Sequence, residues 1–337
     1  MAFSVVTVSD QDDFITKLET FLSANGWTTE LTATADGTGF RLHMSITGTS
    51  TAFGGTSTDL HFAFRSSFGE NIFGITISGV SGTNTNGCSI VGSDGFSGIG
   101  DAWDAQTPNP SQLPGVEGGA SRMHQSFLTP GQRVLFFQTL DPTQVVVVNE
   151  FEPGKYNWMM FGEVRKVSAF TGGQVHGASW SFESNQIWFG VSQREFFNFY
   201  RRTATRRNSS LRIDDALRVQ KWLAPEVSGV QSVIRGMSFI GGRGGYLQAN
   251  TPNTFDGTPI LFPFHIYQTV AANLRQPTGY VDHFRSVNIR DLDPETILTL
   301  GTEDWQVFPW REKKAVQSGD DNTGTGIEPG FAVKRTP

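Results

Sequence analysis

The sequence predicts a mainly β protein: sandwich- or barrel-like β parts with an N-terminal α-helix and one short internal helix. Three observations carry this. Short apolar segments alternate with period two, as half-buried strands do. Gly, Ser, Thr and Asn clusters separate them at strand-like spacing. The composition is rich in β formers and turn formers, with 28 Phe and 38 Gly in 337 residues, and has only 7 Lys.

The first 26 residues hold the helix. Ser9 or Asp10 caps it, and Asp12 and Asp13 occupy a first turn whose positive dipole end favours carboxylates. Phe14, Leu18, Phe21 and Leu22, with Ile15 alongside, make one apolar face. Asn25-Gly26 supplies a left-handed stop, and Trp27-Thr28 opens an extended region. Residues 40–46, 60–65 and 72–77 then read as strands. No helical pattern lies between them, which disfavours a parallel βαβ sheet.

Residues 1–105 are expected to form the helix and a first β-rich part. A Pro/Gly-rich linker or loop follows at 106–123, and a second β-rich part at 124–317. In that second part, strands are predicted at 133–137, 143–148 and 156–161. Asp141-Pro142 makes the hairpin turn between the first two, and Gly172-Gly173 a later turn before a strand at 179–191. Leu211, Asp215, Leu217, Val219 and Trp222 place the short internal helix, capped near Asn208 to Ser210. Strands follow at 260–270 and 284–289, then a closing hairpin of 296–300 with 305–309. Residues 318–337 read as an extended tail with one apolar peg, Phe331-Ala332-Val333.

Charge is sparse and uneven. Charged residues are 17% of the chain, against roughly 25% in ordinary soluble proteins. Of 26 basic residues, 19 are Arg, the cation suited to ordered interfacial pairing. Residues 194–223 carry eight cations (Arg194, Arg201, Arg202, Arg206, Arg207, Arg212, Arg218, Lys221) against three anions. That segment is +5 and the remainder −11, for a net −6. One reading is nucleic-acid contact through 194–221, with Phe196, Phe197, Phe199 and Tyr200 stacking. The favoured reading is a subunit interface, because the acidic remainder repels nucleic acid and offers the arginines partners on a neighbouring copy.

Catalytic and metal motifs are not evident. The six His (43, 61, 124, 176, 265, 283) lack ligand spacing, and Asp320 to Gly324 lacks a calcium-loop pattern. Gly241 to Gly245 lacks the Lys-Ser/Thr of a phosphate loop, and no Gly-x-Ser-x-Gly occurs. Cys88 is the one cysteine, so no intramolecular disulfide forms, and it reads as a small buried side chain. Paired acids at Asp101/Asp104 and Glu150/Glu152 are the candidates for glycan cleavage, with turn capping and interface contacts as the alternative. Trp103, Trp180 and Trp188 are candidates for stacking on host glycans. No cofactor is expected. The start of the chain has no secretory signal pattern, and no apolar run approaches a membrane span, so synthesis in a cytoplasm without membrane insertion is expected.

Two stretches carry a resemblance. The first runs from Thr129 to Trp180, through Val145-Val146-Val147-Val148-Asn149-Glu150-Phe151-Glu152-Pro153-Gly154-Lys155-Tyr156-Asn157-Trp158 and Phe161-Gly162-Glu163-Val164-Arg165-Lys166. The second joins Ile289-Arg290-Asp291-Leu292-Asp293-Pro294-Glu295-Thr296 to Leu300-Gly301-Thr302-Glu303-Asp304-Trp305-Gln306-Val307-Phe308-Pro309. The chain resembles virion structural proteins of tailed bacteriophages, of the tail, baseplate or neck kind. The resemblance implies a non-enzymatic subunit located in the virion, partnered by copies of itself and by other virion proteins. A symmetric ring or other multimer is the expected form. The Arg-rich segment departs from the resemblance, so the interface role of its arginines, like that of the Phe331 peg, rests on charge and composition. Host-glycan binding, or a neck or head-completion role contacting DNA, are the alternatives.

Overall fold

The computed structural model describes residues 1–67, 87–103, 106, 125–126, 131–178, 209–214, 222–223, 234–236, 257–271, 274–309, 313 and 329–335. In chain order these form β1 (Ala2–Val8), α1 (Gln11–Ala24), β2 (Thr28–Asp36), β3 (Gly39–Thr47), β4 (Asp59–Ser67), β5 (Gly87–Ser93) and β6 (Gln125–Ser126). Next come β7 (Gln132–Leu140), β8 (Thr143–Glu152), β9 (Lys155–Glu163), β10 (Arg165–Lys166), β11 (Thr171–Ala178), β12 (Ser209–Asp214) and β13 (Trp222–Leu223). The last are β14 (Ile234–Gly236), β15 (Phe262–Ala271), β16 (Leu274–Asn288), β17 (Ile297–Leu300), β18 (Glu303–Pro309) and β19 (Pro329–Lys334).

The fold is mainly β, as expected, and α1 is the one α-helix among the described residues. Asp10 is its N-cap: the carboxylate accepts from the Asp12 and Asp13 amides at 3.0 and 2.8 Å. The helix closes where the Trp27 amide donates back to the Leu22 carbonyl and Gly26 takes φ 90°. The expected internal helix is corrected. Leu211 lies in β12, paired with Leu223 of β13, while residues 215–221 lie outside the described ones. The Gly172-Gly173 turn is also corrected. Both glycines lie inside β11, at a register shift against β12, and take φ 97° and 111°. The strands expected at 72–77 and 179–191 fall outside the described residues.

Three antiparallel sheets form. The central one runs β1-β7-β8-β9-β11-β12-β13. A second runs β14-β15-β16-β19-β18-β17, with β10 added to β16. The third runs β2-β3-β4-β5-β6. Alternate residues of the central sheet serve two cores. Val134, Phe136, Val145, Val147, Met159 and Phe161 meet α1 and the third sheet, through Phe14, Leu18, Leu22, Met44 and Phe62. Their neighbours Leu135, Phe137, Val146, Val148, Trp158 and Met160 meet the second sheet, through Phe264, Phe284, Phe308 and Phe331. A sheet covered on both faces needs apolar side chains at every position, which is why Val145 to Val148 and Trp158 to Phe161 read as unbroken apolar runs. Each such side chain, fully buried, contributes roughly 1.5–3 kcal/mol.

This layering crosses the expected boundary at 106–123. β1 pairs with β7 in full register from Ala2↔Gln138 to Val8↔Gln132, and α1 packs on β7 to β9, so the two expected parts share one core. Of the expected tail at 318–337, residues 329–335 are described, and β19 among them joins the second sheet. β19 sits between β16 and β18, with Phe331 opposite Ser286 and Phe308. Phe331 is fully buried, stacks on Phe308 at 5.3 Å and meets Phe284 tilted at 5.0 Å. It is a peg, but in its own core: flanking strands take both edges of β19, and the core between the sheets covers the face that carries Phe331.

Candidate interaction surface

The β3–β4 loop, residues 48–58, is held from beneath by a buried ion pair. The Glu163 carboxylate, at the end of β9, accepts from the Thr49 amide at 2.8 Å, the Ser50 amide at 2.7 Å and the Ser57 hydroxyl at 2.7 Å. Lys166 Nζ lies 3.4 Å from the same carboxylate and donates to the Thr56 carbonyl at 2.9 Å. It also sits 5.1 Å from the centre of the Phe170 ring. Burial pulls the Lys166 ammonium below the usual lysine range, and Glu163 opposes that pull. Both side chains are inaccessible to solvent. The backbone completes the clamp: the Thr56 amide donates to the Phe170 carbonyl, and the Gly172 amide donates to the Thr56 carbonyl, each at 3.2 Å. Glycine is required at 48, where a Cβ would lie 2.9 Å from Glu163 Oε2 and from the Thr58 carbonyl.

The clamped loop carries Phe53 at its tip, in a left-handed conformation (φ 56°) and 70% exposed. An exposed phenyl ring on a strained backbone needs surroundings that fix it, and the clamp provides them. The β7–β8 hairpin tip is tied to the same loop: the Thr49 hydroxyl donates to the Leu140 carbonyl at 2.7 Å. Leu140 is 51% exposed. The following Asp141-Pro142 bond is cis, and the Asp141 carbonyl accepts from Arg165 at 2.7 Å and meets His283 Nε2 at 3.0 Å. Arg165 is itself held by Asp282 at 2.6 Å. Two exposed apolar side chains, Phe53 and Leu140, therefore stand on two loops that the Thr49 hydroxyl ties together.

A second cluster of charge is partly exposed. Arg133 of β7 bridges Glu150 of β8, at 2.8 Å, and Glu295. Glu295 also accepts from the Tyr156 hydroxyl at 2.8 Å, and it holds a left-handed φ of 66°. Burial, then the Glu295 carboxylate, push the Tyr156 phenol up. The cluster ties the 290–296 loop to the central sheet.

Most of the residues nominated from sequence fall outside the described ones. Arg194, Arg201, Arg202, Arg206, Arg207, Arg218, Trp180 and Trp188 lie outside the described residues. Arg212 is in β12, its backbone paired with Trp222. Trp103 is corrected as a glycan-stacking residue: it is 6% exposed and packs with Ala63 and Val91. Glu150 and Glu152 are engaged by Arg133 and Lys155. Asp101 accepts from the Ser97 hydroxyl, and Asp104 lies outside the described residues. Cys88 is buried within β5, and burial pushes its thiol up. His43 and His176 are buried and drawn down to about 3 by desolvation, so both are neutral at pH 7. Among the described residues no group of three or more His, Cys, Asp or Glu is placed to hold a metal ion, and no helix is long and apolar enough to cross a membrane.

Phe53, Glu163 and Lys166 were not nominated. Phe53 had a signal, a lone aromatic amid the Gly, Ser and Thr of residues 48–55. The burial of Glu163 and Lys166 had none. Comparison with known protein families and with curated proteins finds no match.

Proposed function

We propose that the chain is an architectural subunit of a tailed-phage virion, of the tail or baseplate, working in a symmetric multimer of itself with other virion proteins. The observation that carries the reading is the clamped end that displays Phe53 and Leu140. Large aromatic anchors held rigid before contact are what stable interfaces use, because little side-chain freedom is lost on docking. A buried ion pair spent on fixing a surface loop supports the same reading. The resemblance of residues 129–180 and 289–309 to virion proteins supplies the setting, and the role is one of contact rather than catalysis.

The test is incorporation. Phe53→Asp with Leu140→Asp changes exposed side chains only, so the variant is expected to melt within a few degrees of wild type. It is expected to be lost from purified particles assembled in its presence. Gold labelling of wild-type protein is expected on the tail or baseplate. Wild-type incorporation of the double variant, or label confined to the head or neck, would overturn the reading.

A further inference from the structure

The edges of the three sheets are treated unequally, and one of them is built to pair. β2, an edge of the third sheet, is blunted: its register against β3 shifts twice, it carries Glu30 and Asp36, and Glu19 of α1 captures its Ala33 amide at 2.9 Å. β6 and β13 have two residues each, β14 three and β17 four. Such devices keep an edge from recruiting foreign strands. β1 carries one such contact, Lys17 on the Thr7 carbonyl at its end, and none of the other devices. Its seven residues, Ala2-Phe3-Ser4-Val5-Val6-Thr7-Val8, are uncharged, free of proline and paired to β7 without a register break.

The free side of β1 can be assigned. Lys17 donates to the Thr7 carbonyl, while the Val8 carbonyl faces β7 and accepts from the Gly131 amide at 2.8 Å. Outward and inward groups alternate along an antiparallel strand, so Phe3, Val5 and Thr7 turn their amides and carbonyls away from β7. Among the described residues, only the Thr7 carbonyl of this outward set is satisfied. The Val5 side chain is 47% exposed beside them. Lys17 sits at the Thr7 end, Arg133 of β7 lies opposite Thr7 in the register, and Arg335 stacks 4.4 Å over the Phe3 ring.

We propose that β1 pairs antiparallel with the β1 of a second copy of this chain, about a two-fold axis beside Ser4. Phe3 of one copy then faces Val5 of the other, an aromatic to β-branched cross-strand pair with reciprocal backbone bonds, and Lys17 keeps the Thr7 carbonyl. A second copy is the fitting occupant for two reasons. The strand carries no charge, so self-pairing sets no like charges opposite each other. The described residues show one long regular edge; a head-to-tail contact needs two different ones, whereas a two-fold contact consumes both copies of the same one. The contact deepens the assembly reading by naming one of its interfaces, but it uses a different surface from the Phe53 end.

The test is the mass of the purified full chain by sedimentation or light scattering across a concentration series. Val5→Pro removes only an outward amide, a replacement that edge strands tolerate. Val5→Lys adds an edge charge at an exposed position. Wild type is expected to be dimeric at micromolar concentration, with the Phe3 and Val5 amides protected from hydrogen exchange in proportion to dimer. Both variants are expected to melt like wild type and to associate at least about tenfold more weakly. If Val5→Pro does not fold, Val5→Lys decides. A wild type that stays monomeric, or a folded Val5→Lys that keeps wild-type mass, overturns the pairing. Phe53→Asp should leave the dimer intact. Loss of mass with Phe53→Asp but not with Val5→Lys would sink the β1 contact while leaving the assembly reading standing.

Discussion

Two charged clusters tie distant parts of this chain together, and they differ in what water can do for them. Glu163 and Lys166 are sealed from solvent and clamp the 48–58 loop. Arg133, Glu150 and Glu295 join the 290–296 loop to the central sheet at a surface that water still reaches. In the sealed pair each charge depends on the other, because neither has solvent to fall back on. In the open cluster, water substitutes for any partner that is lost. Similar bonds therefore carry unequal consequences.

The sharpest way to break the comparison is to remove one sealed charge. Lys166→Met leaves Glu163 buried without its cation and should cost about 3–5 kcal/mol in urea unfolding. Adding Glu163→Gln should recover a large part of that. A loss below about 1 kcal/mol for Lys166→Met would mean that the buried pair behaves like a surface one.

Crowding the clamp is the next test. Gly48→Ala sets a methyl against Glu163 Oε2 and the Thr58 carbonyl and should cost about 1–3 kcal/mol, read by the same unfolding curve. Because the loop carries Phe53, this variant should also assemble poorly.

Acid extends the contrast to other buried titratable groups. His43 and His176 have folded values near 3, below the unfolded value near 6.5, so below pH 6.5 the unfolded chain binds protons that the folded chain refuses. Stability is complete above pH 6.5. It should fall as pH drops toward 3, by roughly 1 kcal/mol per pH unit for each histidine. His43→Gln should flatten its share of the slope in thermal melts taken from pH 7 to pH 4.

The smallest effect is expected at the open cluster. Arg133→Ala should cost less than about 1 kcal/mol, and less again in high salt. A cost matching that of Lys166→Met would show that the left-handed Glu295 depends on Arg133 more than its exposure suggests.

Much of the fold was legible because its signals are local. The α1 cap at Asp10, the apolar face at Phe14, Leu18, Phe21 and Leu22, and the strands through 40–46, 60–65 and 305–309 are all short-range patterns. β1 was missed, since its neighbour β7 lies more than a hundred residues away. Leu211 to Trp222 misled for a related reason: its apolar spacing admits a helix, but β11 offers residues 209–214 an unpaired edge, and tertiary pairing outweighs propensity. Of the nominated interface residues, Phe331 is buried in the core of its own chain, which its spacing in the tail did not reveal.

The sequence by itself determined the class of the protein: its helix and stop signals, its alternating strands, its scarcity of charge and its excess of Arg over Lys. Those features depend on a residue and its near neighbours. Only the tertiary structure decided that the central sheet is covered on both faces, that Glu163 and Lys166 are sealed beneath the Phe53 loop, and that the Phe331 strand closes the second sheet from within. Burial is set by what packs on a residue from elsewhere in the chain, and period, propensity and spacing carry no record of that.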